Sequence, residues 1–396
     1  VLLYDTLRQT PVAMEPIDGF VRMYVCGVTP YDTTHMGHAR TYVVYDTIRR
    51  YLEWQGLPVI YVQNVTDIDD DILRKSAELG LTWDELGRQE TERFLRDMDS
   101  LNVRMPNHYV KATDAIAKII EVTSGLIERG VAYENQGNVY FNVHADPDFG
   151  SLAHSDYANM LEIANQRGNF PDDPHKRDPL DFVLWQATKP GEPWWDSPWG
   201  RGRPGWHIEC TAMVLEYLGP QINIHGGGSD LQFPHHACEL AQAENFTGQS
   251  PHVEAWSHIG MVFYEGEKMS KSLGNLVLAS KTLEHYSADA IRLGLLKYYY
   301  RDQFEYSDED VAWGERTVER FKLAVNSGVA GGALHAEELR NEAIAALDAD
   351  FQTPACLQAL ITLAEASING EIDDADLAAS TLRELGAVLG LRSELW

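Results

Sequence analysis

The apolar positions of the chain follow two periods. VRMYVCGV (21–28) and LPVIYVQNVTD (57–67) are short runs rich in β-branched and aromatic residues, the pattern of buried strands. Between them, RTYVVYDTIRRYLEWQG repeats apolar residues at helical spacing and stops at Gly56. Strand, turn, helix and strand in this order form a βαβ unit and predict a parallel sheet. QINIHGGGSD and VEAWSHIGMVF later restore the strand-then-loop pattern. The stretch between has another texture. Helical DAIAKIIEVTSGLIERG precedes a hairpin-like NVYFNVHADPDFGSL, followed by RGNFPDDPHKRDP and the Pro-, Trp- and Gly-rich KPGEPWWDSPWGRGRPGW. The pattern predicts an α/β domain in two halves, 1–110 and 201–283, split by an insertion, 111–200. From 284 to 396 the chain reads as a helical bundle, with apolar residues at helical spacing in NEAIAALDADF and LAASTLRELGAVLGL.

Composition narrows the function. With 44% hydrophobic residues in 396, there is ample material for a core and for more than one domain. No run of about 18 apolar residues suggests a membrane span. The opening VLLYDTLRQTPV lacks a basic region followed by an apolar stretch, so a cytoplasmic protein is expected. Four cysteines, Cys26, Cys210, Cys238 and Cys356, are too few and too scattered for a disulfide scaffold, and point to free or metal-binding thiols in a reducing compartment. Sixty acidic residues against 32 basic ones give a net charge of −28, which rules out whole-protein attraction to nucleic acid as an argument. Residues 331–396 hold 12 acids, three arginines and no lysine, against a nucleic-acid surface there.

Three motifs carry chemistry. FPHHACELA (233–241) packs two histidines, a cysteine and a glutamate into five positions and invites a metal. HMGH places His35 and His38 three apart at a helix start that follows a strand, where unpaired N–H groups and the helix dipole favour a phosphate. Gly37 between them leaves the backbone open to a flat ligand. Alone, HxGH is more often two exposed histidines on a first turn. EGEKMSKSLGN (265–275) sets Lys268 and Lys271 in a loop expected to be mobile, able to close over a polyphosphate and neutralise its transition-state charge. The two motifs together are far more specific than either.

The pair resembles the HIGH and KMSKS signatures of class I aminoacyl-tRNA synthetases. More narrowly, the chain is similar to cysteinyl-tRNA synthetase and to its relative, the mycothiol cysteine ligase, through YVCGVTPYDTTHMGHARTY, VQNVTDIDDDI, DPLDFVLW, GEPWWDSPWGRGRPGWHIECTAM, HGGGSDLQFPHH and KMSKSLGN. The resemblance implies a Rossmann-like catalytic domain with an inserted connective subdomain, then a stem-contact loop and helical bundle. No anticodon-binding domain is evident. It implies ATP with Mg²⁺ and L-cysteine as substrates, cysteinyl-adenylate as product of the first half-reaction, and His35, His38, Lys268 and Lys271 as its catalytic groups. Gly37, Gly227, Gly228, Asp230 and Ser272 would hold the nucleotide, Asp230 suiting a ribose hydroxyl pair.

A thiol must be told from a hydroxyl, and shape alone discriminates poorly between such near-isosteres. Cysteinyl-tRNA synthetases use Zn²⁺, a soft Lewis acid that prefers thiolate. Their ligand pattern falls here on Cys26, Cys210, His235 and Glu239. Without the resemblance, Cys26 and Cys210 are as readily two buried thiols. His235 and Glu239, i and i+4, share a face of a helix beginning near Pro234. His236 and Cys238 point away from that face. His236 is a candidate substrate contact, with Cys26, Gly27, Thr66 and Trp206, and Cys238 is packing.

Two acceptors compete: tRNA-Cys, and the amine of an amino-sugar such as glucosaminyl-inositol. Glu239, Leu273 and Arg40 follow the synthetase. The insertion QRGNFP, matching Glu-Arg-Gly-Gly-Asp-Pro of the ligase at three of six places, and the end at AVLGLRSELW follow the ligase. The synthetase is the expected reading, as a monomer. A non-catalytic paralogue need not keep His35, His38, Lys268, Lys271 and the whole ligand set, and a different nucleotidyl transferase would not explain that set.

Overall fold

The computed structural model describes residues 1–31, 34–269 and 274–396. Five parallel strands form the central sheet in the spatial order Val253–Ile259, Ile222–Gly228, Val21–Val25, Val59–Val65, His108–Lys111. Strands covered on both faces read as continuous apolar runs, and Val21, Met23, Tyr24 and Val25 are all fully buried. The strand earliest in this sheet lies at its centre, and the order reverses on its two sides. Such a switch point opens a crevice beyond the carboxyl ends of the strands. Cys26 and Gly228 lie at that edge.

The helix Met36–Trp54 leaves this edge, and Gly56, at φ 80°, closes it. A second sheet, antiparallel, is built by Ala132–Asn135, Asn138–Phe141, Phe182–Ala187 and Gly202–Pro204. The hairpin expected in NVYFNVHADPDFGSL forms with the preceding segment instead. Asn138–Phe141 pairs back onto Ala132–Asn135 across Gln136 and Gly137, both at positive φ, as a two-residue hairpin turn requires. HADPDFGSL has too many turn formers for a strand and coils into short helical turns, Val143–Ala145 and Ser151–Ala153.

Beyond residue 283 the chain is helical, apart from Phe304–Glu305, which pairs with Val262–Tyr264. That strand also holds Glu267–Lys268, so Lys268 sits on a small hairpin and not in an irregular loop. Two buried arginines tie these layers together. Arg292 donates to Leu389 O at 2.9 Å, Leu101 O at 3.1 Å and Asp46 Oδ2 at 2.8 Å, fixing the bundle to the helix Met36–Trp54. Arg40 donates to the carbonyls of Gly260 and Asp302, both at 2.7 Å, and Tyr299 at 2.9 Å, anchoring the base of the Lys268 hairpin. Carbonyls take most of the donors of both guanidinium groups and the Asp46 carboxylate pairs with Arg292, where an unpartnered charge would be costly.

Candidate active site

A cavity of about 1750 Å³ opens at the carboxyl edge of the central sheet. Cys26 lines it, and the rest of the thiol and imidazole cluster lies buried behind Cys26. Cys26 continues the central strand, its N–H donating to Gly226 O at 2.9 Å. Cys210 lies on the buried face of the helix Trp206–Tyr217. His235 and Glu239 flank the start of the helix Ala237–Thr247. The four side chains converge: Cys26 Sγ is 4.0 Å from Cys210 Sγ and 3.7 Å from Glu239 Oε1, and His235 Nε2 is 3.1 Å from that oxygen. With metal–ligand bonds of about 2.0–2.3 Å, tetrahedral edges run from about 3.3 Å for nitrogen and oxygen to about 3.8 Å for two sulfurs. The spacing fits.

The surroundings fit as well. Trp206 stacks on the His235 ring at 4.2 Å, and His235 Nδ1 shares a hydrogen bond of 2.8 Å with His207 Nδ1, leaving Nε2 to face the cluster. Burial pushes the Cys26 and Cys210 thiols and the Glu239 carboxyl up, and His235 well down, so each group is neutral by itself. Glu239 Oε2 is buried without a hydrogen-bond partner among the described residues. Buried acids and imidazoles facing one point are the donors that a soft divalent cation satisfies.

His236 differs from its expected orientation. Its Nε2 lies 3.3 Å from Cys26 Sγ, and its Nδ1 shares a 2.8 Å hydrogen bond with His258 Nε2, which leads on to Thr6. The backbone of His236 is already helical (φ −66°, ψ −33°) and it stands three residues before Glu239, so the two share a helix face and both reach Cys26. His225, on the strand Ile222–Gly228, was missed from sequence: its Nε2 is 3.6 Å from Cys26 Sγ and 3.2 Å from Glu239 Oε2. Burial takes His225 down to about 3, so that approach is no ion pair. The usable signal was a polar residue in the middle of an otherwise buried strand.

The upper wall carries the anion-binding candidates. His35 caps its helix by accepting from Gly37 N–H at 3.1 Å, and its ring stacks on His38 at 3.8 Å. Burial lowers His38 to about 4 and His35 to about 2, so both are neutral at physiological pH and offer N–H groups, not charge. A Cβ at Gly37 would stand 2.8 Å from the His35 ring. Gly227 donates its N–H to Tyr45 Oη at 2.9 Å, and a Cβ there would press on Leu231 at 2.8 Å. Asp230, just beyond Gly228, receives Lys268 Nζ at 2.9 Å. Burial opposes ionisation of Asp230, but the Lys268 ammonium outweighs it and holds the carboxyl below its usual range. Lys271 and Ser272 lie outside the described residues.

Cys26, Gly27, His35, Gly37, His38, Trp206, Gly228, Asp230 and Lys268 line the cavity directly. Thr66, His235 and His236 lie behind the wall, each almost fully buried. Cys238 packs in the core and also borders the cavity.

A Rossmann-like sheet with an HxGH helix start and an opposed lysine hairpin across one cavity is the architecture of class I aminoacyl-tRNA synthetases. The chain resembles Mycobacterium tuberculosis methionyl-tRNA synthetase in complex with methionyl-adenylate, with a TM-score of 0.67 at 15% identity over 93% of this chain and 91% of that one. It resembles the leucyl enzyme of an Agrobacterium radiobacter ternary complex with TM-score 0.67, 13% identity, and 95% and 84% coverage. By sequence it belongs to the family of class I (C) tRNA synthetase catalytic domains, matched over residues 13–316. It is 43% identical to the L-cysteine:1D-myo-inositol 2-amino-2-deoxy-alpha-D-glucopyranoside ligase of Kribbella flavida, over 98% of this chain and 95% of that protein. It is also 43% identical to the cysteine–tRNA ligase of Dehalococcoides mccartyi strain 195, over 98% and 86%.

Proposed function

We propose that the protein is an ATP-dependent cysteine ligase that activates L-cysteine as its adenylate and transfers it to the terminal adenosine of tRNA-Cys. The observation that carries this is the convergence of Cys26, Cys210, His235 and Glu239 behind a cavity that Cys26 lines together with His35, His38 and Lys268. When bound among those four donors, Zn²⁺ would favour a thiolate over a hydroxyl and lower the thiol pKa. Family membership and the named relatives support the cysteine-activating reading.

In the first half-reaction a cysteine carboxylate oxygen attacks the α-phosphorus of Mg²⁺-bound ATP, and the bond to pyrophosphate breaks. The neutral imidazoles of His35 and His38 donate N–H groups to charge developing on the phosphate, and the Lys268 ammonium neutralises the departing pyrophosphate. For that, Lys268 leaves Asp230, which frees a carboxylate to accept two ribose hydroxyls. In the second, the acceptor attacks the carbonyl carbon and AMP leaves. The protein would work in the cytoplasm; no described helix is long and apolar enough to cross a membrane, and all four cysteines are free.

One observation favours the amino-sugar as a second acceptor. Arg167, Asn169, Asp172, Asp173 and Lys176, from the insertion, form one side of the cavity, a polar wall suited to a polyhydroxylated amine. Cysteine-dependent ATP–pyrophosphate exchange, with serine inert, tests activation. Radiolabelled cysteine offered with tRNA and with glucosaminyl-inositol separates the acceptors, label in tRNA being the expected result.

A further inference from the structure

Glu209 follows Trp206 by three residues, in the first turn of the helix Trp206–Tyr217, and lines the cavity although it is only 1% exposed. Its Oε2 has no hydrogen-bond partner among the described residues. A buried carboxylate oxygen without a donor is costly unless a ligand supplies one.

Neighbouring donors are already committed. Gly27 N–H donates to Asn64 Oδ1 at 2.7 Å, and Asn64 Nδ2 donates to Thr66 Oγ1 at 3.3 Å. That leaves the single Thr66 hydrogen, which is directed to the Glu209 carboxylate. The chain of donors therefore ends on Glu209 with one oxygen unfilled. Burial first, then the nearby Cys210, Asp69 and Asp67, push the Glu209 carboxyl well up, a push that a cation beside it would oppose. The buried Arg203 is held elsewhere, by Asp70 and by Glu192 at 3.3 Å. What the corner lacks is a cationic donor.

An amino acid bound here has three groups to place. The thiol goes to the donor cluster beside Cys210, the next residue in the chain, and the carboxylate goes to the His35 and His38 side. The third direction leads to Glu209. We propose that Glu209, with Thr66 oriented behind it, binds the α-ammonium group of the substrate and thereby requires an amine as well as a thiol. The assignment rests on the cysteine-activating reading.

The test pairs a ligand change with a residue change. Cysteine and 3-mercaptopropionate, which keeps the thiol and carboxylate but lacks the amine, are titrated calorimetrically into zinc-loaded wild type and Glu209→Gln. Wild type should prefer cysteine by roughly 10–100-fold, the worth of a hydrogen bond to a charged group. In Glu209→Gln the preference should shrink to within about threefold, with 3-mercaptopropionate affinity and zinc content unchanged. Equal weakening of both ligands, or loss of zinc, makes Glu209 a structural residue and overturns the proposal. Glu209→Asp, which keeps the charge, should retain part of the preference, and serves if Glu209→Gln does not fold. Wild type that neither binds cysteine nor exchanges pyrophosphate overturns the activation reading itself, a result distinct from a preference that Glu209→Gln leaves intact.

Discussion

Cys26 Sγ and Cys210 Sγ stand 4.0 Å apart, one at the end of the central strand and the other on a helix 184 residues later. A disulfide would need about 2.05 Å, and two thiolates sharing a tetrahedral zinc ion about 3.8 Å. The pair is spaced for the second. Either Cys26→Ser or Cys210→Ser should cut zinc affinity by at least about 100-fold, since even partners behind a ligand are worth about 10–100-fold. Atomic emission on dialysed protein reads the zinc content. Unchanged occupancy in both variants would show that the ligand set is wrong.

The Lys268–Asp230 pair makes a second prediction. The ammonium lies 2.9 Å from the carboxylate proposed to hold the ribose, so on that reading nucleotide binding and release of Lys268 are one exchange. Lys268→Ala should lower kcat for pyrophosphate exchange by about 10²–10³-fold, the range for removing one preorganised donor to transition-state charge. Its KM for ATP should change far less, because the freed Asp230 offsets the lost cation. A KM that rises as steeply as kcat falls would place Lys268 in ground-state binding.

Much of this site was legible in the sequence because the chemistry sits in short motifs at strand ends and helix starts. Period and spacing put His35 and His38 at the start of an apolar helix and His235 one turn before Glu239, whereas Cys26 and Cys210 joined them as ligands only through the family resemblance. His225, His207 and His258 were not. Each is a single histidine within an element, and its neighbours come from other segments: His258 meets His236, and His207 meets His235, only once the sheet and helices pack. The turn of His236 toward Cys26 was missed because the projection was made from His235 alone, whereas His236 stands three residues before Glu239 and shares its face. The hairpin partner of Asn138–Phe141 was also missed, because Gln136 at positive φ is a weak turn signal beside Gly137.

Acid should destabilise the protein through buried neutral histidines, and His252 is one outside the donor cluster. Burial lowers the His252 pKa to about 4, with His225 adding a smaller downward push, against the opposing effect of the 2.8 Å hydrogen bond between His252 and Pro220 O. An unfolded histidine takes up its proton near pH 6.5. Between the two values the unfolded chain binds the extra proton, so stability present above about pH 6.5 is lost as pH falls toward 4. The difference is worth about 3 kcal/mol in full. Urea unfolding at pH 7 and pH 4.5 should therefore show wild type losing about 2 kcal/mol more than His252→Gln. Other buried histidines lower both proteins alike; equal losses would mean that His252 is protonated when folded.

Gly27 tests how tightly the substrate wall is built. A Cβ there would fall 1.6 Å from the Asn64 carbonyl oxygen, and its N–H already donates to the Asn64 side chain at 2.7 Å. Asn64 cannot retreat, because its strand pairs on both sides, with Val21–Val25 and with His108–Lys111. Gly27→Ala must therefore push the segment after Cys26 outward, away from Asn64 and from the thiol cluster. Overpacking of this kind costs about 1–3 kcal/mol, which a chain of this size can survive. The expected result is a folded protein with a lowered urea midpoint, a raised KM for cysteine and a KM for ATP within about threefold of wild type, because the His35, His38 and Asp230 walls hang on other elements. Equal rises in both KM values would show that the two halves of the cavity move as one body.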